Sequence, residues 1–142
     1  MVLHIKKLCV GVSSVDQLRE YIAQRQARGE EIYHTTRQFP RRADQIIQNG
    51  PDNGSLYWVI NKKIQARQRI IGFREGIRLD GGSGWDILLD SELILVSPIP
   101  HRPFQGWRYL EGDSCPPDVL SSDILTDLPG ELAFLVREFG VL

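Results

Sequence analysis

Residues 54–75 constrain the fold more than any other stretch, because they carry the pattern of a β-hairpin. Two runs rich in β-branched and aromatic residues flank a short polar turn, which is typical of two antiparallel strands. Side chains alternate between the faces of a strand, so the pairing register decides which of them are buried together. A three-residue loop at 61–63 places the large apolar residues on one face. That face carries Leu56, Trp58, Ile60, Ile64, Ala66, Gln68 and Ile70. We expect its large apolar residues to be core, namely Leu56, Trp58, Ile60, Ile64 and Ile70.

The other face of this hairpin carries a polar row at strand spacing. Under the same register, Gln65, Arg67 and Arg69 point the same way as Tyr57 and Val59. Arginine and glutamine side chains can contact phosphates or base edges, and a tyrosine ring can stack on a base. The alternative is a solvent-facing sheet surface covered by long side chains.

Two further groups of polar residues suggest binding. The first follows a short predicted strand, where hydroxyl and guanidinium groups suit a phosphate; the alternative is a strand end with solvated arginines. The second lies between prolines and a glycine, and its tryptophan is either a stacking platform or part of the core. The first group is His34, Thr35, Thr36, Arg37, Arg41 and Arg42, and the second is His101, Arg102, Gln105, Trp107 and Arg108.

The charges are distributed unevenly along a chain whose formal net charge is −1. Residues 1–110 contain 16 Lys and Arg against 11 Asp and Glu, whereas residues 111–142 contain one against seven. A moderately basic surface can recognise phosphate or carboxylate partners. The alternatives are a solvated face that offsets the acidic tail, and a tail that docks on a basic face of its own or a partner chain. If the tail docks on the basic face of another copy of the chain, the protein forms a homo-oligomer.

A length of 142 residues is that of a single domain, 1–142, with its own core. No apolar run approaches a membrane span and the first ten residues lack the features of a signal peptide, so we expect a cytoplasmic protein without membrane contact. Cys9 and Cys115 are far apart and are expected to be free thiols. The histidines lack metal-ligand spacing and no phosphate-binding loop or nucleophile motif occurs, so we expect no metal and no cofactor.

The order of the elements predicts an α+β fold with a mainly antiparallel sheet and two or three flanking helices. The first helix, 15–28, has Ser13 or Ser14 as its cap and Gly29 as its stop. Residues 74–84 are polar and glycine-rich, and Gly81-Gly82-Ser83-Gly84 within them is expected to form a mobile connection. The other predicted helices are 43–48 and 129–139, and the predicted strands outside the hairpin are 2–10, 31–36, 85–89 and 92–96.

Specific motifs extend across nearly the whole chain. They are Lys-Leu-Cys-Val-Gly at 7–11, His-Thr-Thr-Arg at 34–37, Gly-Ser-Leu-Tyr-Trp-Val-Ile at 54–60, Ile-Gln-Ala-Arg-Gln-Arg-Ile at 64–70 and Arg-Pro-Phe-Gln-Gly-Trp-Arg-Tyr-Leu at 102–110. In these motifs the chain resembles a family of small alphaproteobacterial proteins that is catalogued only as a domain of unknown function. That resemblance implies no activity.

A second similarity is to the PUA-like superfamily, which includes ASCH domains. Those small β-barrels combine a glycine-led Thr-x-Arg segment, a short helix and a central hairpin, and Gly29, Thr35 and Arg37 precede such a helix and hairpin here. The resemblance implies a PUA-like β-barrel sheet that binds RNA or a modified nucleotide. Glu30 and Glu31 stand where ASCH domains have a lysine, so we do not expect an ASCH-type amidohydrolase.

These observations lead to the hypothesis of an RNA-binding or nucleotide-binding module. Arginines would contact phosphate, glutamines would contact base edges and aromatic rings would stack. The alternatives are a small enzyme acting on a nucleotide or phosphorylated metabolite, for which a pocket joining His34 or Glu31 to Arg67 would be the sign, and a protein-interaction domain. The polar groups form a single binding site only if the structure brings them together in one cleft. Its residues are Arg37, Arg41, Tyr57, Gln65, Arg67, Arg69, Gln105, Trp107 and Arg108.

Overall fold

The computed structural model describes residues 2–47 and 53–119. The predicted helix at 129–139 therefore lies outside the described residues. Along the chain the elements are β1 (His4–Leu8), α1 (Val15–Ala27), β2 (Tyr33–Thr36), α2 (Ala43–Ile46), β3 (Ser55–Ile60), β4 (Lys63–Ile77), β5 (Ser83–Leu89), β6 (Ile94–Pro100) and β7 (Trp107–Leu110).

The seven strands of the described residues form one mixed sheet in the order β2-β5-β4-β3-β1-β7, and β6 also pairs with β4. The strand β1 is parallel to β3, and all the other pairs are antiparallel. This arrangement confirms the predicted α+β class and the mainly antiparallel sheet. The sheet does not close into a barrel, because β2 and β7 end the order without pairing to each other.

The central strand β3 is buried along its whole length because apolar clusters cover both faces of the sheet. On one face, which we call the helix face, Leu56 and Trp58 pack in a core that includes Leu18 of α1. On the other face, which we call the far face, Tyr57 and Val59 pack in a second cluster. The face predicted to be polar or wet is therefore partly a core of its own.

The helix α1 begins and ends where the sequence predicts. Ser14 is its N-cap, and the Ser14 Oγ accepts a hydrogen bond of 3.2 Å from the Gln17 backbone N–H. Gly29 follows the last turn with a φ of +72°, a left-handed conformation that glycine adopts without strain. No helix in the described part of the chain has the length and apolar character needed to cross a membrane.

The turn of the central hairpin differs from the predicted three-residue loop. Asn61 and Lys62 form a two-residue turn, and both have positive φ values of 51° and 63°. The register then shifts between Trp58 and Val59, because Gln65 is an extra residue that forms a β-bulge. Beyond the bulge the predicted pairing holds, with Trp58 opposite Ala66 and Tyr57 opposite Arg67.

The bulge moves one predicted core residue to the other side of the sheet. Ile64 is buried, as expected, but it packs in the far-face cluster with Tyr57 and Val59. Leu56, Trp58, Ile60 and Ile70 are buried on the helix face, as predicted.

The predicted mobile connection at 81–84 is part of a hydrogen-bonded hairpin within the glycine-rich stretch 74–84. Strand β4 continues to Ile77 and β5 begins at Ser83. Between them the Arg78 backbone N–H donates to the Gly82 carbonyl at 2.8 Å, and the Gly82 N–H donates to Asp80 Oδ1 at 2.9 Å. None of residues 71–77 is buried, although β5 pairs with β4 as far as Ile77, so this extension has no buried face that an alternating pattern could reveal.

The turn geometry generates a test. Lys62→Gly should raise the free energy of unfolding by about 0.5–1 kcal/mol, because glycine avoids the roughly 1–2 kcal/mol cost of a left-handed L-residue but loses more chain entropy. Lys63→Gly, inside β4, should lower it instead. Urea unfolding of the two variants checks the pair; equal effects would contradict the two-residue turn.

Candidate functional site

Three of the predicted site residues lie together on the far face. Tyr57, Arg67 and Arg69 line an open polar cleft of about 680 Å³, which we call the far-face cleft. His4 of β1 and Asp118 line it as well. The alternation of β3 and β4 brings Tyr57 and Arg67 to the same side, and their direct pairing places them side by side.

Arg67 is already engaged in this cleft. Its Nε donates to Asp118 Oδ1 at 2.8 Å, its Nη2 donates to Asp118 Oδ2 at 2.7 Å, and its Nη1 donates to Ser55 Oγ at 2.7 Å. The hydrogen bond and charge of Asp118 raise the pKa of Arg67, and Arg67 lowers the pKa of the Asp118 carboxyl. The bidentate pair satisfies both charges, so the main role of Arg67 is to hold the 115–118 segment against the sheet.

The histidine of the far-face cleft is held neutral. His4 Nδ1 accepts a 2.9 Å hydrogen bond from the Ser55 backbone N–H, so it carries no proton, and its ring stands edge-on to Tyr57 at 5.3 Å. Burial, and then the nearby charge of Arg67, lower the His4 pKa. Burial also raises the pKa of Tyr57, so neither ring is charged at neutral pH.

Four of the other predicted residues lie outside the far-face cleft. Gln65 is the bulge residue, and its side-chain amide donates to the Ile60 carbonyl at 2.6 Å. Arg37 is exposed beyond β2, Gln105 is exposed before β7, and the Arg108 guanidinium stacks over the Phe104 ring at 4.9 Å. The predicted groups therefore do not meet in one cleft.

The remaining two predicted residues, Arg41 and Trp107, share a second cleft on the helix face. This cleft, which we call the Trp107 cleft, has a volume of about 450 Å³, and Gln38, Phe39 and Tyr109 complete its lining. Trp107 Nε1 donates to the Gln38 carbonyl at 3.1 Å, and the two aromatic rings of β7 lie 4.9 Å apart. Phe39 is 40% exposed, so the cleft presents aromatic surface to solvent.

The pairing of three strands sets a cation between two tryptophans. Lys7 of β1 is in register with Trp107 of β7 on one side and with Trp58 of β3 on the other. Paired residues point to the same face, and this row lies on the helix face because Trp58 and Trp107 pack there. Lys7 thus stands between the Trp107 cleft and the core beneath α1.

Beneath α1 the row ends in a cavity of about 540 Å³, which we call the His34 cavity. Its walls come from α1, from the β1–α1 connection and from strands β2, β3, β4 and β5, and most of them are apolar. His34, Trp58 and Gln68 supply its polar atoms. Its principal apolar residues are Leu18, Tyr21, Ile22, Ile32, Tyr33 and Leu89.

His34 is the unusual residue of this cavity. Its Nε2 is buried and has no hydrogen-bond partner among the described residues. Burial, and then the charge of Lys7, hold the His34 pKa at about 4, so the imidazole is neutral at pH 7. Its ring stands edge-on to Trp58 at 5.4 Å, while Trp58 Nε1 donates to Gln68 Oε1 at 2.8 Å.

The residue pattern pointed to His34 for another reason and did not single out the cavity. The sequence groups His34 with neighbouring arginines as a phosphate site, and it predicts correctly that Trp58 is core. The one available signal was Gln68, a polar residue that the hairpin register places in an otherwise apolar row. Such a residue needs a buried partner or a ligand.

The chain belongs to the family described as "Protein of unknown function (DUF1489)", whose model matches residues 5–142. The comparison with curated proteins and the comparison with solved structures found no match. Within residues 2–47 and 53–119, no three His, Cys, Asp or Glu side chains gather into a group that could hold a metal ion.

The Arg67–Asp118 pair can be tested by unfolding. Arg67→Ala should lower the free energy of unfolding by about 2–3 kcal/mol, because it leaves a half-buried carboxylate and the buried Ser55 hydroxyl without their donor. Combining it with Asp118→Ala should cost less than the two single losses added. Arg108→Ala, which removes an exposed arginine, is the matched control. Additive losses would show that the pair is not coupled.

The neutral state of His34 predicts a pH dependence of stability. Between pH 6.5 and about 4 the unfolded chain binds a proton at His34 that the folded chain does not. As the pH is lowered through this window, the free energy of unfolding therefore decreases, by about 3 kcal/mol in total. His34→Phe should lack this part of the slope in chemical unfolding measured from pH 7 to pH 4. Parallel curves for the two proteins would refute a buried neutral His34.

Proposed function

We propose that this member of the family binds single-stranded RNA or a modified nucleotide on the helix face, through the Trp107 cleft and the adjoining Lys7. The observation that carries the proposal is the strand register that sets Lys7 between Trp107 and Trp58, next to an open aromatic cleft. Aromatic platforms beside cations are the combination that single-stranded nucleic acids require.

The walls of the Trp107 cleft suit a flat ring. Trp107 is fixed by its hydrogen bond to the Gln38 carbonyl, and Tyr109 is fixed because its hydroxyl accepts from the Arg42 backbone N–H at 3.0 Å. Rings held in this way lose little freedom when a base stacks on them. Such stacking contributes about 1–3 kcal/mol per base.

Cations surround this cleft at positions suited to a phosphate backbone. Arg41 is exposed at its edge. The Arg42 guanidinium lies over the Tyr109 ring at 5.2 Å and pairs with Glu111 at 3.2 Å. Its Nε and Nη2 donate to Gln45 Oε1 at 3.2 and 2.7 Å, so Arg42 mainly shapes the wall. Burial lowers the pKa of Lys7, which makes its charge costly unless an anion approaches.

The order of elements in the PUA-like resemblance supports the same proposal, although the sheet does not close into the β-barrel that this resemblance implies. Gly29 has the left-handed turn conformation, β2 contains Thr35 and ends just before Arg37, and α2 and the central hairpin follow in the order that the resemblance implies. That superfamily implies binding of RNA or of modified nucleotides.

The enzyme alternative depended on an acid or base near Arg67. His34 lies on the helix face and Arg67 lies on the far face, where it pairs with Asp118. Glu31 pairs with Arg74 at 2.6 Å. The geometry therefore gives the binding function the better support.

The proposal is tested by fluorescence anisotropy with a random single-stranded RNA pool at low and at moderate salt. Binding should weaken steeply with salt because counterions are released. Trp107→Ala should weaken it by about 5- to 100-fold, which corresponds to the loss of one stacked base. Arg41→Ala should weaken it and also reduce the salt slope.

Arg108→Ala is the matched control for Arg41→Ala, because Arg108 neighbours Trp107 on the same strand but points to the far face. It should bind like the wild type. Circular dichroism of each variant confirms folding. An absence of RNA binding by the wild type at low salt, or equal binding by the wild type and Trp107→Ala, would overturn the proposal.

A further inference from the structure

A buried polar atom without a partner marks the His34 cavity. The Nε2 of His34 is inaccessible to solvent and makes no hydrogen bond with the described residues. Leaving a buried polar atom unsatisfied is energetically costly, and native structures contain few such atoms. A ligand that supplies the missing hydrogen bond would recover that cost.

The size and walls of the cavity indicate what kind of ligand fits. A volume of about 540 Å³ lies within the range of small-molecule sites. Trp58 forms part of the floor, and Tyr21 and Tyr33 stand at the rim, where they are 49% and 36% exposed. Flat rings bind well between such aromatic and aliphatic walls, so the shape favours one planar ring over a branched chain.

The polar atoms of the cavity are few and have unused hydrogen-bonding capacity. The Gln68 amide nitrogen donates to the Asp90 carbonyl at 3.0 Å, and its oxygen accepts from Trp58 Nε1. One N–H and one lone pair of that amide are left. His34 Nε2 adds either a donor or an acceptor, according to its tautomer. A ring with both donors and acceptors on its edge can use these atoms.

Charge excludes an ionised ring from the interior. The imidazole of His34 is neutral at pH 7, and the walls around it are largely apolar, so nothing inside would offset the desolvation of an ion. Lys7, by contrast, is close enough to His34 and Cys9 to influence both of them electrostatically. A neutral ring inside and an anionic group near Lys7 would together match this distribution.

We propose that the His34 cavity receives one neutral nucleobase, while its sugar and phosphate remain on the Lys7 side. Because His34 Nε2 and Gln68 have almost no solvent-accessible surface in this structure, the proposal includes a turn of these two side chains toward the cavity, where they hydrogen-bond to the base. This inference rests on the proposed function, because it takes the base from the bound strand or nucleotide. It adds that the protein reads the identity of that base. The Trp107 cleft offers only stacking, which every base can provide, whereas the His34 cavity offers a hydrogen-bonding edge.

The test uses adenosine, cytidine, guanosine and uridine as separate ligands of the full chain, with ribose 5-phosphate as the ligand without a base. Long-range ¹⁵N–¹H spectra of the histidine rings report the Nε2 of His34 directly. We expect one nucleoside to shift this resonance and to bind, by calorimetry, at least tenfold more tightly than the weakest of the four. Ribose 5-phosphate should leave the resonance unchanged.

Two substitutions localise the effect. His34→Phe keeps an aromatic ring against Trp58 but removes Nε2, and should weaken the preferred nucleoside about tenfold, the loss of one buried hydrogen bond. Ile22→Phe enlarges an apolar wall residue on α1 and leaves His34 and Gln68 in place, and should weaken all four nucleosides. His101→Phe, at a half-buried histidine outside the cavity, is the matched control and should bind as the wild type does.

The two proposals fail in different ways. If no nucleoside moves the His34 resonance, or if His34→Phe and Ile22→Phe bind nucleosides as the wild type does, the cavity inference is wrong. The RNA proposal still holds in that case if anisotropy depends on Trp107. If nucleosides bind with the His34 response but RNA binding is absent at low salt, the cavity inference holds and the RNA proposal fails.

Discussion

The double burial of strand β3 is the constraint on which the rest of the structure depends. Every residue from Ser55 to Ile60 is buried, so the strand separates two cores. Each polar side-chain atom on this strand therefore needs a hydrogen-bond partner within the protein. On the helix face Trp58 finds Gln68, and on the far face the Ser55 hydroxyl finds Arg67. The polar groups beside these cores are therefore parts of two separate networks, and the sheet keeps the far-face cleft apart from the helix face.

The β-bulge at Gln65 reconciles two demands on the central hairpin. A two-residue turn alone would pair Tyr57 with residue 66 and would turn Arg67 toward the helix-face core. The extra residue restores the pairing of Tyr57 with Arg67 and of Trp58 with Ala66, and it turns Ile64 into the far-face cluster. A single inserted residue thus permits a tight turn and also keeps the arginines out of the core.

The sequence allowed much of the fold to be predicted, because periodicity, caps and turn residues are local. The helix α1 with its Ser14 cap, the buried face of Leu56 and Trp58, and the α+β class all followed from such signals. The turn at Asn61 and Lys62 did not, because neither a glycine nor a proline marks it. The candidate sites were harder still: spacing along a strand placed Arg67 and Arg69 together, but it could not show that Asp118, 51 positions away, neutralises one of them. Nor could it bring Lys7 beside Trp58, since a parallel pairing between distant strands has no local signature.

The row formed by Trp107, Lys7 and Trp58 also sets a distance. Neighbouring strands lie about 4.8 Å apart, so the two tryptophans stand two such spacings, roughly 10 Å, from each other. Stacked bases in a helix follow one another at about 3.4 Å per strand. Consecutive bases that occupied the Trp107 cleft and the His34 cavity would have to be pulled out of their stack, with Lys7 beside the backbone between them. The spacing between strands of the sheet would then favour the binding of an unstacked single strand over that of a duplex.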